Sequence, residues 1–190
     1  VDAGDIPLVE RVRDAIPQLS ETESVAAVTG TEIPQDGRIV DRLVSFVNAI
    51  GNKVNRPGFG DVLFSRGKIK SSMVGHGVGA AKLETFAAVP AVIRSGQQID
   101  YQQNWKGRAY DTYTFAAPID YKGQKTYLGV IVQKDSVSNR YYLHEVVDEH
   151  GNIIFKNGDT PADTSDGTSA LTGDLDTVAS AGDINMIPQA

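Results

Sequence analysis

Residues 99–147, IDYQQNWKGRAYDTYTFAAPIDYKGQKTYLGVIVQKDSVSNRYYLHEVV, set the architecture. Four runs within them, Ile99–Trp105, Tyr110–Ile119, Thr126–Lys134 and Arg140–Val147, are rich in aromatic and β-branched residues, which suit a pleated, half-buried surface. Tyr121-Lys122-Gly123-Gln124 and Asp135–Asn139 are short turn-forming connectors, so the last three runs read as consecutive hairpins. A fifth short run, Ile153–Phe155, follows the turn His150-Gly151-Asn152. Strands in succession with short turns predict an antiparallel meander, and apolar helices preceding it are expected to cover one face. The expected class is α+β: N-terminal helices packed on a four-stranded antiparallel β-meander.

Upstream, Leu8, Val9, Val12, Ala15 and Ile16 fit a helical period that Pro17 is expected to limit. Ser24–Thr31 is short and apolar, and its pattern does not separate strand from helix. Ile39, Leu43, Phe46, Val47 and Ile50 form one stripe of a helix over Arg38–Ile50, with Gly51-Asn52 as its stop. Asn55–Gly60 reads as a turn, Asp61–Ser65 as a short strand and Arg66-Gly67 as a second turn. Ser71–Lys82 (SSMVGHGVGAAK) then reads as a glycine-rich loop opening a helix that carries Leu83, Phe86, Val89 and Ile93, with Pro90 limiting or kinking it. Helix-terminal N–H groups there suit an anion.

The 190-residue chain has room for one domain with a sizeable core. We expect a helical extension over 1–35, a central α+β domain over 36–157 and a flexible acidic tail over 158–190. The tail holds Asp159, Asp163, Asp166, Asp174, Asp176 and Asp183 with no Lys or Arg, and too little apolar surface to offset its ordering entropy. It carries the whole net charge of −6. Between 66 and 108, Arg66, Lys68, Lys70, Lys82, Arg94, Lys106 and Arg108 stand against Glu84 and Asp100, a net +5. Such a basic centre attracts phosphates, although a bare charge count equally fits a solvated face. The absence of Cys removes disulfides, thiolate nucleophiles and Cys-based zinc sites. No apolar run suits a membrane span. A first residue of Val suggests a piece of a longer polypeptide.

The histidines are His76, His144 and His150. His76 sits between glycines, and His150 lies in an exposed turn. In Arg140–Val146, strict alternation puts Tyr142 and His144 on one face and Tyr141, Leu143 and Glu145 on the other. If Leu143 faces the helices, Tyr142 and His144 face out. Asn104-Trp105-Lys106-Gly107-Arg108-Ala109-Tyr110-Asp111 gathers aromatics and cations at a turn: Trp and Tyr stack on bases, and Arg forks onto phosphate or pairs with Asp111. There is no GxxxxGK[ST] loop and no HExxH, and GHGVG lacks the context of a dinucleotide fingerprint. A metal site would need carboxylates from unrelated loops; we expect no metal and no cofactor. Two histidines with Lys and Arg suit metal-independent phosphoryl transfer, one removing a ribose 2′-hydroxyl proton and the other serving the leaving oxygen.

The series GNKVNRPGFGDVLFSRGKIKSSMVGHGVGAAK (51–82), FAAVPAVIRSG (86–96), NWKGRAYDTYTFAAPI (104–119) and RYYLHEV (140–146) resembles the C-terminal domain of MuF-type phage proteins and related domains of phage polyvalent proteins. These are similar to the barnase/EndoU/colicin/RelE-like ribonuclease superfamily. The resemblance runs from about Leu8 to Asn157. His76 and Lys82 match one element, Arg108 and Tyr110 a second, Arg140 and His144 a third; Ala109 stands where the pattern usually has Gly.

The expectation is therefore a phage-associated, metal-independent endoribonuclease of toxin or effector type. His76 and His144 would be the acid and base in either order, with Lys82 and Arg108 stabilising charge. Lys70, Ser72, Asn104, Trp105, Lys106, Tyr110, Arg140 and Tyr142 would contact substrate. Expected partners are RNA, tRNA included, and an acidic immunity protein, in the bacterial cytoplasm or delivered with a phage particle. The alternative is a non-catalytic phage or mobile-element domain that binds nucleic acid or a protein through the same basic face. A deoxyribonuclease, with a divalent-ion requirement, is the third reading.

Overall fold

A computed structural model describes residues 6–73 and 79–154, Lys106 by its backbone alone. The predicted acidic tail and His76 lie outside the described residues. Among the described residues, 6–72 and 82–154 form one compact unit; Met73, at a helix end, and Gly79–Ala81, at a helix start, fall outside it.

Helix α1 (Leu8–Leu19) buries Leu8, Val12, Ala15 and Leu19, the one-face spacing of an amphipathic helix. It runs past Pro17, with Ser20 N–H bonded to the Ile16 carbonyl to close the last turn. Strand β1 (Ala27–Val28), α2 (Ile39–Ala49), β2 (Lys53–Arg56) and β3 (Gly60–Leu63) follow. A short helix that the sequence reading placed in a turn and loop, α3 (Arg66–Met73), begins at Ser65, whose Oγ accepts the Lys68 N–H as an N-cap. After α4 (Ala80–Glu84) a 3₁₀ turn leads into α5 (Val89–Ser95), and Pro90 occupies its first turn, where a missing N–H costs no hydrogen bond.

The remaining strands are β4 (Gln97–Gln102), β5 (Asp111–Tyr121), β6 (Gln124–Lys134) and β7 (Asn139–Val147). They pair antiparallel in chain order, and Ile153 bridges to Val147. The expected four-stranded antiparallel meander is nevertheless incorrect. Among the described residues the sheet has seven strands and is mixed, ordered β1-β5-β6-β7-β3-β2 with β4 also beside β5. β1 joins β5 and β3 joins β7 in parallel, through two registered residue pairs each. Pro118 falls between the part of β5 paired with β4, ending at Ala116, and the part paired with β1, starting at Asp120, so its absent N–H interrupts neither ladder.

Helices cover both faces rather than one. On one side α1 packs with Ala116, Tyr127, Ile131 and Val147. Its approach is close enough that a Cβ on Gly129 would stand 2.3 Å from the Val12 Cγ2. On the other side Phe86 is wholly buried, with Phe46, Phe64 and Tyr141 rings around it at 5.6–6.0 Å. The Arg56 guanidinium, 4.0 Å above the Phe115 ring, ties β2 to the end of α5 by donating to the Ile93 and Gly96 carbonyls. No helix among the described residues is long and apolar enough to cross a membrane.

Candidate functional site

Strand β7 determines which polar side chains share a face. Val132 of β6 opposes Tyr141 and Ile131 opposes Leu143, leaving Tyr142 as an extra, bulged residue. Alternation restarts there. Tyr142 and Leu143 both pack toward the α1 side, whereas Tyr141 and His144 share the Phe86 core.

His144 is 0% exposed. Its Nε2 lies 2.8 Å from the Lys82 carbonyl and its Nδ1 2.7 Å from the Tyr141 hydroxyl, which is itself 2.8 Å from the Ser72 Oγ. A carbonyl only accepts, so Nε2 carries the proton; the Tyr141 hydroxyl, which donates to Ser72 Oγ, lies against Nδ1. Burial, assisted by the Lys82 charge, pushes the imidazole down to about 3. Burial also holds the Tyr141 phenol far above its ordinary range. A neutral ring closed to solvent does not suit acid–base exchange with a phosphate arriving from solution. The outward-facing His144 expected from strict alternation is thus corrected by the bulge. Ser72 is buried in the same network, and Lys82, also buried, pairs with Glu145 at 3.2 Å. These two sequence candidates hold the core together on this side.

A different group assembles on the α1 side. Trp105 packs edge-on against Tyr142 at 5.8 Å and lies 5.9 Å from Tyr110. Its loop is fixed by Asp111, whose carboxylate accepts the Asn104 N–H and the Tyr101 hydroxyl, and by the Trp105 N–H donating to the Tyr110 carbonyl. Asn104 itself serves the turn, at φ 47°, a left-handed conformation that asparagine tolerates. Arg108 is exposed beyond it. Lys68 of α3 places its Nζ 5.3 Å over the Tyr142 ring, within cation–π range. Partial burial, then the Arg140 and Arg108 charges, hold the Lys68 ammonium below its usual range. Three cations therefore act on one neighbourhood beside three aromatic rings. Asp135 offsets part of the charge, 3.0 Å from Arg140.

Arg140 of this group stands in register with Gln133 and Thr112 across β7, β6 and β5. Thr112 Oγ1, both ends of the Gln133 amide and Arg140 Nε are buried with no hydrogen-bond partner among the described residues.

Of the sequence candidates, the fold brings together Trp105, Arg108, Tyr110, Arg140 and Tyr142, and leaves Lys70 exposed on α3. His76 and the Lys106 side chain lie outside the described residues. Lys68 entered the sequence reading only as part of a charge count, and Thr112 and Gln133 not at all; no local signal marks them, because strand register alone aligns them. No group of three His, Asp or Glu side chains able to hold a metal occurs among the described residues. No protein-family model, curated protein or solved structure matches the chain.

Proposed function

We propose that this domain binds single-stranded RNA, and that the Lys68–Arg108–Arg140 group beside Trp105, Tyr110 and Tyr142 is its contact surface. The observation that carries the reading is the convergence of three cations on one aromatic cluster. Cations track a phosphate backbone while flat rings accept unstacked bases, the combination that single-strand binders use. The resemblance to phage-borne nuclease-like domains supports the same substrate class. Between the two activities considered from the sequence, binding is favoured over cleavage by a histidine pair, because His144 is neutral, buried and on the other side of the sheet. An acidic protein partner would compete for the same surface.

The test is fluorescence anisotropy with a labelled ten-nucleotide RNA, comparing wild type with Arg108→Ala, Arg140→Ala and Trp105→Ala, with a parallel incubation in excess EDTA run on a denaturing gel. Stacking on an aromatic contributes about 1–3 kcal/mol per base, so Trp105→Ala should weaken binding by about 5- to 150-fold. Wild-type affinity for all three variants, or no binding by wild type, overturns the proposal. Cleavage in EDTA that survives His144→Gln would show a nuclease working without that residue.

A further inference from the structure

We propose that Gln133 and Thr112 form the base-reading floor of this site, taking the hydrogen-bonding edge of one nucleobase while the cations above hold its phosphate. The inference rests on the RNA-binding reading and adds a recognition element to it. Buried amides and hydroxyls are bonded in the great majority of cases. Here four buried polar atoms without partners among the described residues fall on one row of three adjacent strands, on the side of the sheet that carries Tyr142 and Arg140.

The chemistry of the row selects its ligand. Phosphate offers acceptors only, so it would satisfy Arg140 Nε, Thr112 Oγ1 and Gln133 Nε2 but leave Gln133 Oε1 unbonded. A planar heterocycle presenting a donor beside an acceptor matches both ends of the amide at once, as adenine does with its N6 amino group and N7. The neighbouring rings supply stacking and the neighbouring cations supply phosphate contacts, so the full complement fits a nucleotide. Gln133 is 1% exposed, so a base reaches it only as the side chains around it swing aside.

The experiment titrates the full chain with labelled hexa-adenylate, hexa-uridylate, hexa-cytidylate and an abasic ribose-phosphate hexamer at one salt concentration. Wild type should bind one base-bearing hexamer about tenfold more tightly than the other two, and all three more tightly than the abasic one through stacking. Gln133→Leu should bind the three base-bearing hexamers alike while keeping their stacking advantage over the abasic one, with its salt dependence unchanged and its melting temperature equal or higher, since an unbonded buried amide has been removed. Thr112→Val, nearly isosteric, should lose part of the same preference and serves if Gln133→Leu does not fold. A preference among the three bases retained by the folded variants, or wild type binding the three base-bearing hexamers alike, overturns the floor while leaving phosphate binding and stacking intact. No binding of any hexamer by wild type overturns the RNA reading and the floor with it.

Discussion

Acidification from pH 7 to pH 5 should destabilise this fold through His144. In the unfolded chain an imidazole takes a proton near 6.5, whereas in the folded protein the buried ring does so only at about 3. Between those values the unfolded state binds the extra proton, so lowering the pH favours unfolding. The stabilisation is complete above about 6.5 and is lost as pH falls toward about 3. One pH unit well inside the window is worth about 1.4 kcal/mol, and the interval from 7 to 5, which includes the unfolded titration itself, amounts to about 2 kcal/mol. For a chain of this size that corresponds to a fall of roughly 4–8 °C in Tm. Carboxylates whose folded values are lowered, Glu32, Asp61 and Asp135, act mainly below this interval. His144→Gln is the control: it cannot titrate, while its amide still offers a donor toward the Lys82 carbonyl. Thermal melts of both proteins in matched buffers at pH 7, 6 and 5 give the difference directly. Equal pH slopes for wild type and variant would refute the reasoning and imply that the ring exchanges protons with solvent in the folded state.

Other expectations follow from separate parts of the molecule. With three cations neutralising phosphates at about 0.7 counterions each, the log–log salt slope of single-stranded RNA binding should be about −2, and Lys68→Ala should reduce it by about 0.7; an unchanged slope would remove Lys68 from the contact surface. Gly129→Ala should cost about 1–3 kcal/mol in denaturant unfolding, because its methyl would enter Val12, and a neutral result would contradict the close approach of α1. Lys82→Met should lower stability by leaving Glu145 without its 3.2 Å partner while RNA affinity stays at the wild-type level; lost affinity would restore Lys82 as a phosphate-facing cation.

Much of the fold was legible because its signals are local. The β4–β7 runs announce themselves by composition and hairpin turns, and the stripes of α1 and α2 by periodicity. What escaped depends on contacts far apart in sequence. β1 offers two residues, too few for a pattern; β3 reads locally as a short strand over Asp61–Ser65, but its partner does not, since both join the sheet by parallel pairing with strands more than 70 residues away. A sequence that shows four hairpin-like strands is therefore compatible with a seven-stranded sheet. The same limit applied at the site. Trp105, Tyr110, Arg108, Arg140 and Tyr142 were readable as types and clusters, whereas Gln133 and Thr112 acquire meaning only from cross-strand register. Alternation placed His144 beside Tyr142 correctly for an unbroken strand, and one bulged residue reversed the answer.

That bulge explains how β7 serves two layers at once. Upstream of Leu143, Arg140 is registered with Gln133 and Tyr142 meets Trp105 and Lys68, so this part of the strand would supply the proposed contact surface. Downstream, Leu143 must lie toward α1 and His144 toward Phe86 to fill the two cores. A regular strand meeting the first demand would turn Leu143 into the Phe86 core and carry the imidazole to the α1 side, away from both the Lys82 carbonyl and the Tyr141 hydroxyl. Adding one residue at Tyr142 satisfies both demands, and it brings Tyr141 and His144, three residues apart, onto one face where they bond to each other at 2.7 Å. The Tyr142–Trp105 cluster and the buried histidine are consequently two results of one backbone irregularity, which is why the sequence pattern that located the first mistook the second for part of it.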